Sequence, residues 1–423
     1  SLVHIFAKGG TPMKKLFALT ALLLTLTLLS GCIPLPTPPE TTQAETRETE
    51  STTQASTETT EAPTEPDPLV LQLEAMTLEE KVGQLFMVTP GTLGLPQIKA
   101  PMEALSQEQL TQMENAIREI FAKYPVGGIV QFAADLYSPE QITAYNALLQ
   151  RAAEIPLFLG IDEEGGTVAR LANHSAFDLP QYKSAGAVGA SGNPEDALEM
   201  GQTIGAYLGE YGFNMDFAPV ADVNTNPNNP VIGNRSFSSD CNVAGQMAKA
   251  MAQGLEEQGI VPVFKHFPGH GDTAQDSHEE VAYSHKTLEE LQACEFIPFS
   301  GLTENQCVMV GHIALPEVTG DMTPATLSSE IVTGLLREKL GFRGLILTDS
   351  MVMEAITDNY SGAEASLLAL EAGCQVILQP EDFPSAFAGV VEAVESGTFP
   401  EEQLNAVVLQ ILRFKQETCG NLS

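Results

Sequence analysis

Residues 261–265 read Val-Pro-Val-Phe-Lys, and residues 266–278 continue the chain as His-Phe-Pro-Gly-His-Gly-Asp-Thr-Ala-Gln-Asp-Ser-His. The first segment is a short apolar run that ends on an ionisable side chain. Continuous apolar runs of this length are typical of strands buried on both faces, as in a parallel sheet. The glycines and the proline of the second segment predict a loop. Together the two segments predict a buried parallel strand that opens into a polar loop.

Seven further apolar runs of the same kind lie before and after this strand. They span residues 84–88, 127–132, 157–162, 214–222, 307–312, 345–349 and 375–378. Helix starts are also visible: Thr77, Ser106 and Thr287 each begin a capping box, and Pro139 and Pro194 suit the first position of a helix. Eight strands that alternate with helices predict one α/β domain over residues 69–423, a (β/α)8 barrel of the TIM type. A doubly wound open sheet is the alternative that strand counting leaves open.

Ionisable side chains stand at the carboxyl ends of several runs. They are Asp162, Asp222, Lys265 with His266, His312 and Asp349. In a barrel of parallel strands these ends meet on one face, and the active sites of such barrels lie on that face. The pattern therefore predicts an enzyme whose site is built from strand ends.

The composition excludes some classes of partner. Twenty Lys and Arg stand against 55 Asp and Glu, which gives a formal net charge of −35. A nucleic-acid partner requires a basic face, and attachment to anionic lipid requires a polybasic segment, so both are disfavoured. The acidic balance favours a surface that resists association.

The first 68 residues are predicted to contain a secretory signal and a linker. We interpret residues 1–12 as an extension upstream of the natural start and residues 13–32 as a secretory signal, because Lys14 and Lys15 precede an apolar run. The run is shorter than the ~20 residues of a membrane span, which disfavours an uncleaved anchor helix. Residues 33–68 are rich in Thr, Glu and Pro and predict a disordered linker.

The signal ends in Leu29-Ser30-Gly31-Cys32, which resembles a bacterial lipobox. The resemblance implies that Cys32 is lipidated and becomes the first residue of the mature protein. The chain would then be anchored to a bacterial cell membrane, outside the cytoplasm. The other five cysteines show no CxxC spacing, and no disulfide is predicted.

The polar loop after residue 265 has two interpretations. Its three histidines and two aspartates are donors that a metal ion could use. Their spacing fits neither a common zinc pattern nor a helical HExxH motif, so we predict no metal and no cofactor. The density of ionisable groups favours a catalytic loop, in which His270 and Asp272 could be structural.

Residues 265–278, KHFPGHGDTAQDSH, resemble the signature of the β-N-acetylglucosaminidase branch of glycoside hydrolase family 3. Further motifs follow the family's order at residues 76–84 (MTLEEKVGQ), 160–166 (GIDEEGG), 217–224 (FAPVADVN), 233–237 (GNRSF) and 347–351 (LTDSM). The resemblance extends over nearly the whole of residues 70–420. It implies a retaining exo-glycosidase that removes terminal β-N-acetylglucosamine, with peptidoglycan fragments as the expected substrate.

The resemblance also implies residue roles. Asp349 is the expected nucleophile, and His278 is the expected acid and base, with Asp276 bonded to its other ring nitrogen. The expected sugar-binding residues are Asp162, Arg170, Arg235, Lys265 and His266.

The chain departs from the family's pattern at three positions. Glu163 stands where glutamine is usual, a change expected to be silent. Thr167 stands where some members carry a sugar-binding arginine, which leaves Arg170 as the expected contact. Gln375 stands where the eighth strand often carries an acid.

Three alternatives to hydrolysis of N-acetylglucosaminides remain open at this point. A histidine in place of a second carboxylate lowers the repulsion of an anionic acceptor, so phosphate could replace water and the enzyme could be a phosphorylase. A β-glycosidase with broader sugar tolerance would use the same residues. An inactive barrel that only binds wall sugars is disfavoured, because Asp349, Asp276 and His278 are all present.

Overall fold

The structure is a computed structural model that describes residues 67–99, 104–277 and 281–419. The predicted signal, the predicted linker up to residue 66, Cys32 and His278 lie outside the described residues, whereas Pro68, the last residue of the predicted linker, already begins a helix. At the centre is a sheet of eight parallel strands, β1 to β8. Their bounds are Phe86–Val88, Gly128–Val130, Phe158–Ile161, Met215–Asp216, Val261–Phe267, Cys307–Val310, Leu345–Thr348 and Ile377–Leu378. Each of the eight predicted runs overlaps one of these strands.

The strands follow one another around the sheet in chain order. β1 to β7 pair with their sequence neighbours, and β8 pairs with β1. A parallel bridge between Leu347 and Val376 connects β7 to the segment that leads into β8. The sheet is therefore a nearly closed barrel, which confirms the (β/α)8 prediction and excludes the open sheet.

The helices, α1 to α15, surround the barrel and connect its strands. They are Pro68–Ala75, Leu78–Gly83, Pro90–Leu93, Gln107–Lys123, Pro139–Ala152, Ala185–Gly189, Pro194–Glu210, Cys241–Glu256, Leu288–Ala293, Pro316–Thr319, Glu330–Lys339, Glu354–Thr357, Gly362–Ala372, Phe383–Glu395 and Glu401–Thr418, of which α11 has π-helical hydrogen bonding. The three predicted capping boxes are present, and Pro139 and Pro194 begin α5 and α7. Among the described helices none has the length and apolar character to span a bilayer.

The fourth strand differs from its prediction. The apolar run 214–222 predicted one long strand, but the ladder covers only Met215–Asp216 before a single further bridge joins Val220 to Lys265. Pro219 lacks an amide N–H and cannot continue a regular ladder. The fifth strand is longer than predicted and extends to Phe267. Both differences lie at the carboxyl face, where they determine which side chains reach the barrel mouth.

Two short ladders join loops at this face. Glu163–Gly165 pairs antiparallel with Val168–Ala169 in the loop after β3. Ala282–Tyr283 pairs parallel with Ile313–Ala314, which ties the far end of the loop after β5 to the loop after β6. The first ladder thus closes the loop after β3 on itself, and the second attaches the loop after β5 to the loop after β6.

A buried lysine connects the last helix to the opposite face of the barrel. Lys415 of α15 is 3% exposed, and its Nζ donates to Gln84 Oε1 and to the Gly127 carbonyl, both at 2.8 Å. The ammonium also lies 4.8 Å from the centre of the Phe158 ring. Because no carboxylate is among these contacts, burial dominates and lowers the pKa of Lys415 to about 7.

This pKa predicts an unusual pH dependence of stability. Between pH 7 and 10 the unfolded chain binds a proton at Lys415 and the folded chain does not, so the lysine's contribution to stability should rise with pH. We expect the difference in unfolding free energy between wild type and Lys415→Met to change in favour of wild type by on the order of 1 kcal/mol for each pH unit in this range. Urea unfolding at pH 7, 8.5 and 10 measures the difference. Parallel curves for the two proteins would show that the lysine is charged when buried.

Candidate active site

The carboxyl face of the barrel contains a cavity of about 690 Å³. Its lining includes six of the predicted site residues, which are Asp162, Arg170, Arg235, Lys265, His266 and Asp349. They come from the ends of β3, β5 and β7 and from the loops after β3 and β4. The structure thus brings together side chains that are up to 187 positions apart in the sequence, from Asp162 to Asp349.

One side of the cavity is an ion-pair cluster made of Asp162, Glu164, Arg170, Arg235 and Lys265. Lys265 Nζ lies 2.7 Å from both Asp162 Oδ1 and Glu164 Oε1. Arg235 donates to both oxygens of Glu164, at 2.9 and 2.7 Å. Arg170 donates to Asp162 at 3.0 Å and lies over the Phe132 ring. Two carboxylates and three cations leave the cluster with a net charge of +1.

The cluster keeps its carboxylates ionised. Burial alone would raise the pKa of Glu164, but Lys265 and Arg235 outweigh it and hold that pKa at about 2. Burial likewise opposes the charge on Asp162, and Lys265 again lowers the pKa below its ordinary value. The cluster therefore presents fixed acceptors beside fixed donors, an arrangement suited to several hydroxyl groups of one ligand. Glu164 was missed by sequence reasoning, although it lies within the quoted 160–166 motif.

Asp349 follows β7 directly and lines the cavity. Its backbone N–H donates to the Val310 carbonyl at 2.9 Å, and the N–H of Ser350 donates to its Oδ1 at 2.7 Å. Burial opposes ionisation, but the nearby His266 and His312 rings more than offset it, so the pKa of Asp349 lies below its ordinary value. The carboxylate is thus ionised at neutral pH, as a nucleophile must be.

His266 is held in place by a buried aspartate. Asp222 Oδ2 lies 2.7 Å from His266 Nδ1, and the backbone N–H of His270 donates to Asp222 Oδ1 at 2.6 Å. Asp222 ended a predicted strand but was not assigned to the site. Its strand-end position was the available signal, and its role here is to orient the imidazole that faces the cavity.

His270 is a structural residue of the loop after β5. Its Nε2 is bonded to Ser277 Oγ and its Nδ1 to Thr273 Oγ1, both at 2.8 Å. Burial lowers its pKa to about 4, so the ring is neutral at neutral pH. On the return of the loop, Ser284 donates to Asp272 at 2.6 Å and Lys286 bonds Glu295 at 2.5 Å. Both stems of the loop are therefore fixed by buried or half-buried contacts.

The predicted dyad is described in part. Asp276 is half-buried and precedes Ser277, the partner of His270. His278 lies outside the described residues, so its pairing with Asp276 and its role as acid and base stay predictions. Within residues 67–99, 104–277 and 281–419 no group of three His, Cys, Asp or Glu side chains is arranged to hold a metal ion.

The three departures from the family pattern have distinct positions. Glu163 is fully buried outside the cavity lining, where its two oxygens accept from the N–H groups of Leu171 and Ala172 and from Tyr207. A glutamine would present only one acceptor oxygen to these three donors. Thr167 is exposed, and Arg170 reaches the cavity in its place. Gln375 is buried before β8, where it accepts from Ile346, and does not line the cavity.

Comparisons with known proteins agree with this geometry. The sequence profile described as "Glycosyl hydrolase family 3 N terminal domain" matches residues 77–414. Beta-hexosaminidase A of Pseudoalteromonas piscicida is 31% identical over 333 residues, which cover 72% of this chain and 56% of that protein. Beta-hexosaminidase LpqI of Mycobacterium tuberculosis is 31% identical over 349 residues, which cover 77% of this chain and 86% of that protein. The chain thus spans little more than half of the first relative and most of the second.

A solved structure shows the same architecture. The glycoside hydrolase family 3 beta-N-acetylglucosaminidase from Paenibacillus sp. superposes with a TM-score of 0.72 at 34% sequence identity, over 82% of this chain and 64% of that one. The profile match extends over most of the barrel and includes every cavity residue named above. The chain therefore belongs to glycoside hydrolase family 3.

Proposed function

We propose that this protein is a retaining β-N-acetylhexosaminidase that removes terminal, non-reducing β-N-acetylglucosamine. The observation that carries the proposal is the position of Asp349 at the end of β7, where it lines the same cavity as the ion-pair cluster. The names of the relatives support the choice of sugar, since those proteins are called beta-hexosaminidases.

In this proposal Asp349 is the nucleophile. Its carboxylate attacks the anomeric carbon, the glycosidic C–O bond breaks, and a glycosyl-enzyme forms. His278 donates a proton to the departing oxygen, and Asp276 accepts a hydrogen bond from the other ring nitrogen. In the second step His278 takes a proton from water, the water attacks the anomeric carbon, and Asp349 leaves as a carboxylate. Two displacements return the original configuration.

The ion-pair cluster holds the sugar for both steps. Its carboxylates accept from sugar hydroxyls and its guanidinium and ammonium groups donate to them. Because the groups are bonded to each other before substrate arrives, little reorganisation is needed on binding. His266, oriented by Asp222, adds one more hydrogen-bonding group beside Asp349.

We propose further that the enzyme acts outside the cytoplasm on amino-sugar oligosaccharides or muropeptides, anchored through Cys32. The support is the lipobox-like sequence and the Thr-, Glu- and Pro-rich segment after it. Phosphorolysis and a broader sugar tolerance stay predictions. Product analysis with and without phosphate tests the first, and turnover of the β-glucoside tests the second.

The role of Asp349 is tested by substitution and rescue. Asp349→Ala should lower release of nitrophenol from the β-N-acetylglucosaminide by on the order of 10³-fold or more, because no glycosyl-enzyme can form. Added azide should restore turnover and give an α-glycosyl azide, since the small anion replaces the missing carboxylate in a single displacement. A variant that keeps wild-type turnover without azide would exclude Asp349 as the nucleophile.

The role of Lys265 is tested by pH. Lys265→Met removes the cation between Asp162 and Glu164, so the pKa values of both carboxyls should rise and the acid limb of kcat/KM should move to higher pH. The stability linked to the depressed pKa of Glu164 is present above about 4.5 and is lost as pH falls toward 2, so the variant should also unfold at higher pH than wild type.

Lys123→Met, at an exposed position outside the cavity, is the matched control and should leave both curves unchanged. Rate profiles and thermal unfolding between pH 3 and 7 measure the two effects. An unshifted acid limb in Lys265→Met would show that the cluster's carboxylates do not depend on this lysine.

A further inference from the structure

Gln379 is a cavity residue to which the mechanism above gives no role. It follows β8 directly and lines the same cavity as Asp349. Its backbone φ is +46°, in the left-handed region that residues other than glycine rarely adopt. Among the described residues only Asp382 shares this feature outside the glycines. Unfavourable backbone conformations of this kind concentrate at functional sites, where they aim a side chain.

Ser350 fixes the orientation of the Gln379 amide. The Ser350 hydroxyl donates to Gln379 Oε1 at 3.0 Å, and the backbone N–H of the same serine donates to Asp349 Oδ1 at 2.7 Å. With Oε1 engaged, the Nε2 group is the part of the amide left for a ligand, and it makes no hydrogen bond within the described part of the chain. One serine therefore couples an oriented N–H donor to the nucleophile.

The surroundings of Gln379 differ from those of the ion-pair cluster. The cluster comes from β3, β5 and the loops after β3 and β4, whereas Gln379 follows β8, on the other flank of β7. Leu378, which precedes Gln379, also lines the cavity, as do Val352 and Met353, which follow Met351, and the Met351 N–H donates to the Leu378 carbonyl at 2.9 Å. This flank of the cavity thus places apolar side chains near the Gln379 amide, and the loop after β7 also contributes the exposed Glu354 side chain to the lining.

We infer that Gln379 recognises the acetamido group at C2 of the bound sugar. This inference rests on the proposed function. Because Asp349 attacks C1, the carbon that bears the acetamido group is one bond from the reacting carbon, and the group is within reach of the residues that flank the nucleophile. An acetamido group has a carbonyl oxygen that accepts one hydrogen bond and a methyl group that requires apolar contact. Gln379 Nε2 provides the donor, and the side chains beside it provide the apolar surface.

The consequence is discrimination between amino sugars and glucosides. A glucoside carries a hydroxyl at C2, which has no methyl group to place against Leu378 and Met353. A site that hydrogen-bonds one substrate group discriminates against substrates that lack it, because the donor is then left unpaired. Gln379 is thus a specificity-determining residue that acts on the acetamido group and leaves the rest of the sugar to the ion-pair cluster.

The first test compares two substrates. Gln379→Met keeps the length of the side chain and removes the donor. It should lower kcat/KM for nitrophenyl β-N-acetylglucosaminide by about 10- to 100-fold and change that for the β-glucoside by less than about threefold. Glu381→Gln, an exposed position two residues further on, is the matched control and should change neither. Equal losses on both substrates, or no loss on either, would overturn the inference.

A second variant separates recognition from folding. Gln379→Gly also removes the amide, but glycine suits a φ of +46°, so this variant should unfold at a higher temperature than wild type while losing the same substrate preference. Competitive inhibition by N-acetylglucosamine and by glucose gives the comparison without turnover, and only the former should weaken. Retention of the preference in a Gln379→Gly protein that is folded would overturn the inference.

The failure of this inference is distinguishable from failure of the proposed function. If wild type does not cleave the acetamido substrate, the proposed function fails and the recognition of the acetamido group fails with it. If wild type cleaves it and both Gln379 variants keep the same preference, only the role of Gln379 is wrong.

Discussion

The ammonium group of Lys265 lies 2.7 Å from two carboxylates, and its side chain is 3% exposed. Without this cation Asp162 and Glu164 would be two buried negative charges at close range, which a protein interior tolerates poorly. Lys265 also precedes His266, whose ring is fixed by Asp222 and helps to keep Asp349 ionised. The ion-pair cluster and the residues around Asp349 are therefore connected through the dipeptide Lys265-His266 on β5. A change there alters both.

The barrel makes this concentration of charge possible. Parallel strands deliver their carboxyl ends to one face, so the strand-end residues Asp162, Lys265 and Asp349 meet there although they are far apart in sequence. Buried hydrogen bonds also hold the segment next to the ion-pair cluster. The Glu163 N–H donates to Asp216 Oδ1 at 2.9 Å, and the Glu163 side chain accepts from the N–H of Leu171, the residue after Arg170. The ion pairs thus rest on a rigid frame, and their geometry is present before any ligand binds.

The eight strands could be predicted because each is a short apolar run, and the site could be located because ionisable residues end those runs. The extent of β4 could not be predicted, since hydrophobicity does not report the ladder hydrogen bond that Pro219 cannot make. Glu164 was missed because it lies beyond the strand end, where the periodic signal stops. Gln379 was missed for a different reason: neither charge nor a motif marks a neutral residue whose importance lies in its backbone conformation and in its bond to Ser350.

A glycosyl-enzyme on Asp349 is the species on which the proposed chemistry depends. The most direct test is to incubate the protein with a fluorinated N-acetylglucosaminide that forms the intermediate faster than it releases it, and to map the labelled peptide by mass spectrometry. We expect one sugar per chain, attached to Asp349 in the peptide that contains Leu347-Thr348-Asp349-Ser350-Met351. A label on another carboxylate, or turnover of ordinary substrate with no adduct from the fluorinated one, would contradict a nucleophilic Asp349.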